Sequence, residues 1–389
     1  MFSKAQIFTA VFLLVSMMGC TSQNEPELSV EFTHEIITDD LEIPWQMDFA
    51  ADGRIFITER NGYVRVVEDG QLLEEPWFDF TNYLEQQGEA FANGAGVQGI
   101  ALDSDFANNG YVYVGYAYAA EDQPYDLNKL VRLKEDPNQK KGIIDTVLLD
   151  KIEGLSLHNA AQIKFGPDNK IYWSVGDQFV PELAQDLENE SGSILRLNID
   201  GSIPDDNPFA DSYIYSYGHR NPQGFDWYKK TGIMMATEHG PSSNQGCCHD
   251  EINIIEAGKN YGWPEIRGDE TAPEMQKPLL HSGVGEPSHD YTWAPSGASF
   301  IQSGPWDGSF LFGGLRSQCL WLLELNESSE VEELTCILDH VYHRTRSVAQ
   351  NPYNGAIYLL TSNLDRINHP YGKDVLVKLD VFYVDAEAD

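Results

Sequence analysis

The chain has 389 residues, with 25 Lys and Arg against 61 Asp and Glu, a formal net charge of −36. Such an acidic excess argues against a nucleic-acid partner, whose phosphates attract basic surfaces. With 42% apolar residues, 12% aromatic and 33 glycines, the composition excludes a disordered chain and provides for a large core. Most of the acidity then reads as solvated surface, with calcium, a basic partner or a saline habitat as the functional readings.

At the N-terminus, Lys4 precedes an apolar run from Ile7 to Met18, the pattern of a targeting segment too short for a permanent membrane span. The run ends Met17-Met18-Gly19-Cys20, which resembles a bacterial lipobox with Met17 where Leu is usual. The expected organisation is a lipoprotein-type signal segment over 1–19, a polar tether over 20–32 and one domain over 33–389. A lipid anchor on Cys20 would hold the chain to a membrane, with plain secretion as the alternative. Either route places the mature chain outside the cytoplasm, periplasmic or at the cell surface, where disulfides persist.

One phrase then recurs: a turn with Asp, Asn or Gly, followed by β-branched and aromatic residues. Its six copies are Ala51–Ile57, Asn108–Val114, Pro167–Trp173, Lys230–Ala236, Trp306–Phe312 and Tyr353–Leu359. Gly53 and Gly355 lie 302 residues and five intervals apart, so each repeat has length for about four strands and their loops. The pattern predicts an all-β, six-bladed β-propeller with four-stranded antiparallel blades, a β-sandwich being the alternative. Helical periodicity is scarce, and the longest candidate, 180–190, reads as loop.

Propellers place ligands at the mouth of the central channel, so chemistry is expected from loops between strands. In chain order the candidates are Ser156–Gln162, Tyr217–Gly224, Glu238–Pro241 with Asp250–Asn253 and Asn260–Pro264, and Arg344-Thr345-Arg346. His158 titrates close enough to neutrality to act as a base. Gathering Arg220, Arg344 and Arg346 in so acidic a chain suggests an anion, which arginine forks grip bidentately. Glu251, among Gly and Pro backbone, suits oxygen-ligand calcium binding. Set against these readings are a structural histidine, arginines paired with the protein's own acids, and a surface carboxylate.

Apart from Cys20 there are four cysteines. The alternation of 318–325 and 330–338 about Asn326-Glu327-Ser328-Ser329 predicts a hairpin. A turn centred between 327 and 328 sets Cys319 opposite Cys336, so a cross-strand disulfide is expected. Cys247 and Cys248 are left as a vicinal disulfide or two free thiols.

Together these segments resemble the soluble glucose and aldose sugar dehydrogenases that use pyrroloquinoline quinone (PQQ) and calcium on a six-bladed propeller. The likeness runs over about residues 40–365 through Ile43-Pro44-Trp45, Gly99–Leu102, Phe165–Asp168 and Val175–Gln178. It is most specific in Gly218-His219-Arg220-Asn221-Pro222-Gln223-Gly224, and next in Glu238-His239-Gly240-Pro241. The resemblance implies that His158 takes the proton of the sugar's anomeric hydroxyl, with Arg220 and Asn221 at the quinone. It also implies that Arg344 and Arg346 hold the cofactor carboxylates, with Arg316 where the family usually has Lys. Gly240 and Pro241 match calcium-binding carbonyls, and Glu251 with Tyr261 a second calcium loop.

Three departures accompany the likeness: Gly94 and Gln162 replace a family Gln and Arg, and Leu157 replaces an Asp that precedes the base, so a partner for His158 is expected to be missing. The implied activity is PQQ- and calcium-dependent oxidation of aldose sugars at C1 to lactones, with electrons passed to an external acceptor, a cytochrome or a quinone. The competing readings are a calcium-dependent propeller lactonase and a non-catalytic cell-surface propeller that binds glycans or protein.

Overall fold

A computed structural model describes residues 28–91, 96–120, 126–154, 157–159, 162–241, 247–283, 292–365 and 371–385, together with the backbone of 6–8. Apart from that backbone, the signal segment lies outside the described residues, as do Cys20 and Gly94.

The strands form six antiparallel sheets in sequence order around a ring. Blade 1 starts with Pro44–Phe49, blade 2 with Val97–Leu102, blade 3 with Ile163–Phe165, blade 4 with Pro222–Trp227, blade 5 with Pro295–Phe300 and blade 6 with Thr345–Gln350. Blade 6 is completed from the opposite chain end: Leu28–Leu41 pairs antiparallel with Asp374–Asp385, for example Ile36 with Val377. This clasp closes the ring. It also makes strand of residues 28–32, which the sequence reading places in the tether.

Each repeat copy is the turn from a blade's first strand into its second. Ile55–Glu59, Tyr111–Ala120, Ile171–Val175, Met234–Glu238, Phe310–Gly314 and Ile357–Thr361 are those second strands. They are apolar on both sides because a propeller buries both faces of every blade. In Ile55–Glu59, Phe56 packs toward blade 2 with Val112, while Ile55 and Ile57 pack toward blade 6 with Leu360. The described core accordingly divides into six clusters, each between two neighbouring blades.

Polar side chains on the inner strands fasten blade to blade. The Gln46 amide donates to Ile163 O at 2.7 Å and accepts from Ile100 N and Ile163 N. Gln162 makes the same two-way contact with Phe225, donating to O at 3.1 Å and accepting from N at 3.0 Å. The residue read as a departure in the site is thus a fastener between blades 3 and 4.

The predicted hairpin is present as Cys319–Leu325 and Val331–Cys336, and Cys319 is bonded to Cys336 with Cα atoms 5.8 Å apart. Its register differs by two residues. Trp321, not Cys319, stands opposite Cys336, so the bridge runs diagonally. Cys247 and Cys248 are joined as a vicinal disulfide. Sequence periodicity missed an α-helix at Phe80–Gln87, whose first turn is capped by the Asp79 carboxylate at Thr81 N and Asn82 N, and a 3₁₀ turn at Pro181–Gln185. Both are too short for a periodic signal.

Candidate functional site

In an antiparallel hairpin, the start of the first strand and the end of the second share one end. The repeat turns therefore occupy one mouth of the ring, and the motif residues gather at the other. Arg220 and Arg344 precede the first strands of blades 4 and 6. Asp177, His239 and Arg316 follow second strands, and His158 lies on the loop entering blade 3.

His158 has the partner that the Leu157 substitution was expected to remove. Its Nδ1 lies 2.6 Å from Asp177 Oδ1, and the other Asp177 oxygen accepts from Trp263 Nε1 at 2.8 Å. A carboxylate at Nδ1 places the ring proton there and leaves Nε2 free to accept one. Burial lowers the His158 pKa, opposed by the Asp177 hydrogen bond and assisted by the charge of Arg220. The imidazole is consequently neutral at neutral pH. Asp177 belongs to the quoted phrase Val175–Gln178; only the fold brings it to a histidine 19 positions earlier.

The Gly-His-Arg-Asn phrase is a scaffold as much as a site. Gly218, at φ 76°, lets the chain pass Asn260, whose Oδ1 would lie 2.1 Å from any Cβ there. His219 bridges Ser216 Oγ and Glu238 Oε2, each at 2.9 Å, and stacks on Tyr261. The Arg220 backbone N–H donates to the other Glu238 oxygen, while its Nη1 donates to His239 O at 3.1 Å. Asn221 Oδ1 accepts from Gln223, and Gln223 Oε1 accepts from Arg346 Nη1 at 3.1 Å. Asn221 and Arg346 are thereby linked across the channel, from blade 4 to blade 6.

Arg344 is fixed by donating to Ser362 O, Leu315 O and Asp365 Oδ2. Arg346 lies 3.9 Å from the Trp45 ring centroid. Asp365, which sequence reasoning missed, faces both, and Arg60 from blade 1 also pairs with it. Burial pulls Arg346 down to about 9; Asp365 opposes this, and Arg344 and Arg60 add to it. Arg316 adjoins Leu315 at the same rim with its side chain exposed.

Buried, partnerless polar atoms mark what this mouth lacks. Among the described residues these include Arg220 Nε, Arg346 Nε and His239 Nε2. Burial, followed by the charges of Arg346 and Arg220, holds His239 neutral. Guanidinium donors without acceptors on both blade 4 and blade 6, at Arg220 and Arg346, fit a flat polyanion with several carbonyl and carboxylate oxygens. The donor set therefore suits PQQ.

The calcium candidates adjoin this region. Gly240, Pro241, Glu251 and Tyr261 line one pocket together with Arg220 and Glu238. Gly240 N donates to Asp250 Oδ1 at 2.9 Å, and a Cβ on Gly240 would lie 1.9 Å from Cys248 O, so the vicinal cysteines pack directly on this loop. Asn253 points its amide at both Glu238 and Glu251 and leaves Oδ1 buried without a partner. Burial, then the neighbouring Glu238, pushes Glu251 up to about 8. Two carboxylates beside an unpartnered amide oxygen suit a hard cation, which would hold Glu251 ionised.

The fold and the likeness to known proteins together define a six-bladed quinoprotein dehydrogenase, an oxidoreductase. Residues 41–367 match the model of the Glucose / Sorbosone dehydrogenase family, and the chain belongs to that family. It is 31% identical over 277 residues to quinoprotein glucose dehydrogenase B of Acinetobacter calcoaceticus, covering 64% of this chain and 55% of that protein. An oxidoreductase from Thermus thermophilus, described as a glucose dehydrogenase, superposes with a TM-score of 0.78 at 34% identity, covering 90% of this chain and 100% of that one. The PQQ-bound aldose sugar dehydrogenase of Streptomyces coelicolor superposes with a TM-score of 0.75 at 29% identity, covering 92% and 100%.

Proposed function

We propose that this protein oxidises the C1 hydroxyl of aldose sugars to give lactones, using PQQ and calcium outside the cytoplasm. The observation that carries this reading is the pairing of a carboxylate-held, neutral His158 with buried guanidinium donors that lack acceptors. PQQ, when bound, supplies the two-electron acceptor for the hydride. Arg344, Arg346 and Arg316 would hold its carboxylates, and Arg220 and Asn221 would lie at its reacting carbonyls. His158 Nε2 takes the proton from the anomeric hydroxyl as the hydride departs from C1, so that the C1–O bond becomes a carbonyl. Asp177 keeps the imidazole oriented and stabilises its charged form. Arg220 favours negative charge developing on an oxygen beside it.

Gly240 and Pro241 carbonyls would bind one calcium at this centre, and Glu251 with Tyr261 a second. Electrons would leave to an external cytochrome or quinone. Two disulfides support an oxidising compartment. A lipid anchor on Cys20 fits the same location, and among the described residues no helix is long and apolar enough to cross a membrane. The test is the absorption spectrum of purified apoprotein after addition of PQQ and calcium, then of each aldose in turn. Cofactor binding followed by sugar-dependent bleaching is expected. Binding without any response across a broad panel of aldoses and alcohols would overturn the reading, and failure to bind PQQ would favour a glycan- or protein-binding propeller.

A further inference from the structure

The strand Leu28–Leu41, 14 residues long, runs from one mouth of the ring to beyond the other. Its Leu41 end pairs with Asp374, whose carboxylate accepts from Asn363 N, and Asn363 Oδ1 accepts in turn from Arg344 N. That end therefore stands at the site mouth. Toward its start the strand reaches the repeat turns. His34 pairs with Leu379, which pairs with Ile357, the first residue of blade 6's second strand. Phe32 packs on Trp306, in the repeat turn of blade 5, with ring centroids 5.5 Å apart. Past this level the clasp leaves the blade: Val375, Leu376, Val377 and Leu379 are buried, whereas Phe382 and Tyr383 are 38% and 56% exposed. Leu28 is thus the end remote from Arg220, Arg344 and His158. Gln6–Phe8, which pairs with residues 32–34, belongs to the segment that lipidation at Cys20 would remove.

Eight residues of chain lead from Cys20 to Leu28, a span of at most about 29 Å at full extension and ~16 Å as a flexible coil. The strand that follows is about 40 Å long. Turning the site mouth onto a membrane that holds Cys20 would lift Leu28 by most of that length. Even inclined at about 45°, the strand would raise it by about 28 Å, which leaves the tether stretched to its limit. The net charge of −36 also repels the body from anionic headgroups, so it stands off the surface. We propose that the protein is held with its repeat turns toward the membrane and its site mouth open to water, so that its electron acceptor is a water-soluble carrier and not a quinone dissolved in the bilayer. This rests on the lipid anchor and the sugar oxidation proposed above, and it deepens them by choosing between the two kinds of acceptor. In each turnover the sugar's C1–H and anomeric O–H bonds break and the lactone C=O forms. The two electrons leave to the carrier, and the two protons go to the carrier or to water.

The test uses the full-length protein, extracted from membranes and returned to vesicles of phosphatidylcholine and phosphatidylglycerol, with Cys20→Ser as the unanchored control. Fluorophores are placed on Tyr353→Cys, in the repeat turn of blade 6, and on Glu188→Cys, in the loop between the second and third strands of blade 3 at the site mouth; both positions are exposed. Energy transfer to a dye-labelled lipid should be several-fold stronger from position 353 than from position 188, and absent with Cys20→Ser. With PQQ, calcium and an aldose, anchored and unanchored proteins should reduce phenazine methosulfate in the water at equal rates. Ubiquinone in the bilayer should be reduced by the anchored protein at below about a tenth of that rate, because the site mouth is held away from it. Equal or stronger transfer from position 188, or quinone reduction that matches the phenazine rate, would overturn the proposal. A full-length protein whose Cys20 peptide carries no lipid would bring down the anchor, and the orientation with it. A loaded protein that reduces neither acceptor with any aldose would bring down the sugar-oxidising reading, while energy transfer still decides the orientation.

Discussion

At the scale of single residues, the site depends on who holds whom. His158 owes its tautomer to Asp177, and Asp177 is itself held by Trp263. Asp177→Asn should keep the fold yet lower kcat by about a hundredfold or more, because an amide can hold the imidazole in the wrong tautomer. The pH dependence follows from the direction of the shift. Burial holds the His158 pKa below 6.5, and a base must be neutral, so kcat/KM should stay level above pH 6.5 and fall only on the acid side of it. The Asp177 hydrogen bond raises that pKa, so in Asp177→Asn the acid limb should move to still lower pH. A pH–rate profile of both proteins checks each statement. Asp365 plays a comparable part for Arg60, Arg344 and Arg346: one half-buried carboxylate keeps three like charges together.

At the scale of elements, turns and hairpins carried the most readable signals. Every copy of the repeat phrase became the turn into a second strand, because Asp, Asn and Gly accept the turn geometry and the apolar run that follows is buried on both sides. The Cys319–Cys336 hairpin was readable as a hairpin and as a disulfide, while its register was not. Alternation alone tolerates a shift of two residues, which leaves each side chain on the same face. Replacing both cysteines by serine should lower stability by about 2–4 kcal/mol, measured by denaturant unfolding. The bridge lies at the end of blade 5 that carries Arg316, where Cys319 O accepts from Thr345 Oγ1, between Arg344 and Arg346.

At the scale of the whole molecule, ring closure turns six similar blades into one site. The clasp of Leu28–Leu41 with Asp374–Asp385 brings blade 6, with Arg344 and Arg346, beside blade 1, with Arg60 and Trp45. Within blade 4, packing among Glu238, Asn253 and the Gly268 backbone buries Glu251, whose pKa rises from 4.5 to about 8. The folded apoprotein therefore holds this proton more tightly than the unfolded chain. The associated stability is complete below about pH 4.5 and is lost as pH rises through about 8. Calorimetry should show the apoprotein Tm declining over that window. Calcium should flatten the decline by pairing with the ionised carboxylate, and Glu251→Gln should lessen it without calcium.

The repeat spacing, the turn chemistry and the short polar phrases were enough to establish six blades and to bring His158, Arg220, Arg344 and Arg346 to notice, because turn and strand preferences act over a few neighbouring residues. The partners of those residues were decided by tertiary structure alone. Asp177 reaches His158, Asp365 reaches arginines on two blades, and Gln162 fastens blades 3 and 4 while lining the channel beside Arg346 and Gln223. Such pairings join positions on different strands and blades, and whether a buried charge finds its counter-charge is settled only once the ring has closed around both.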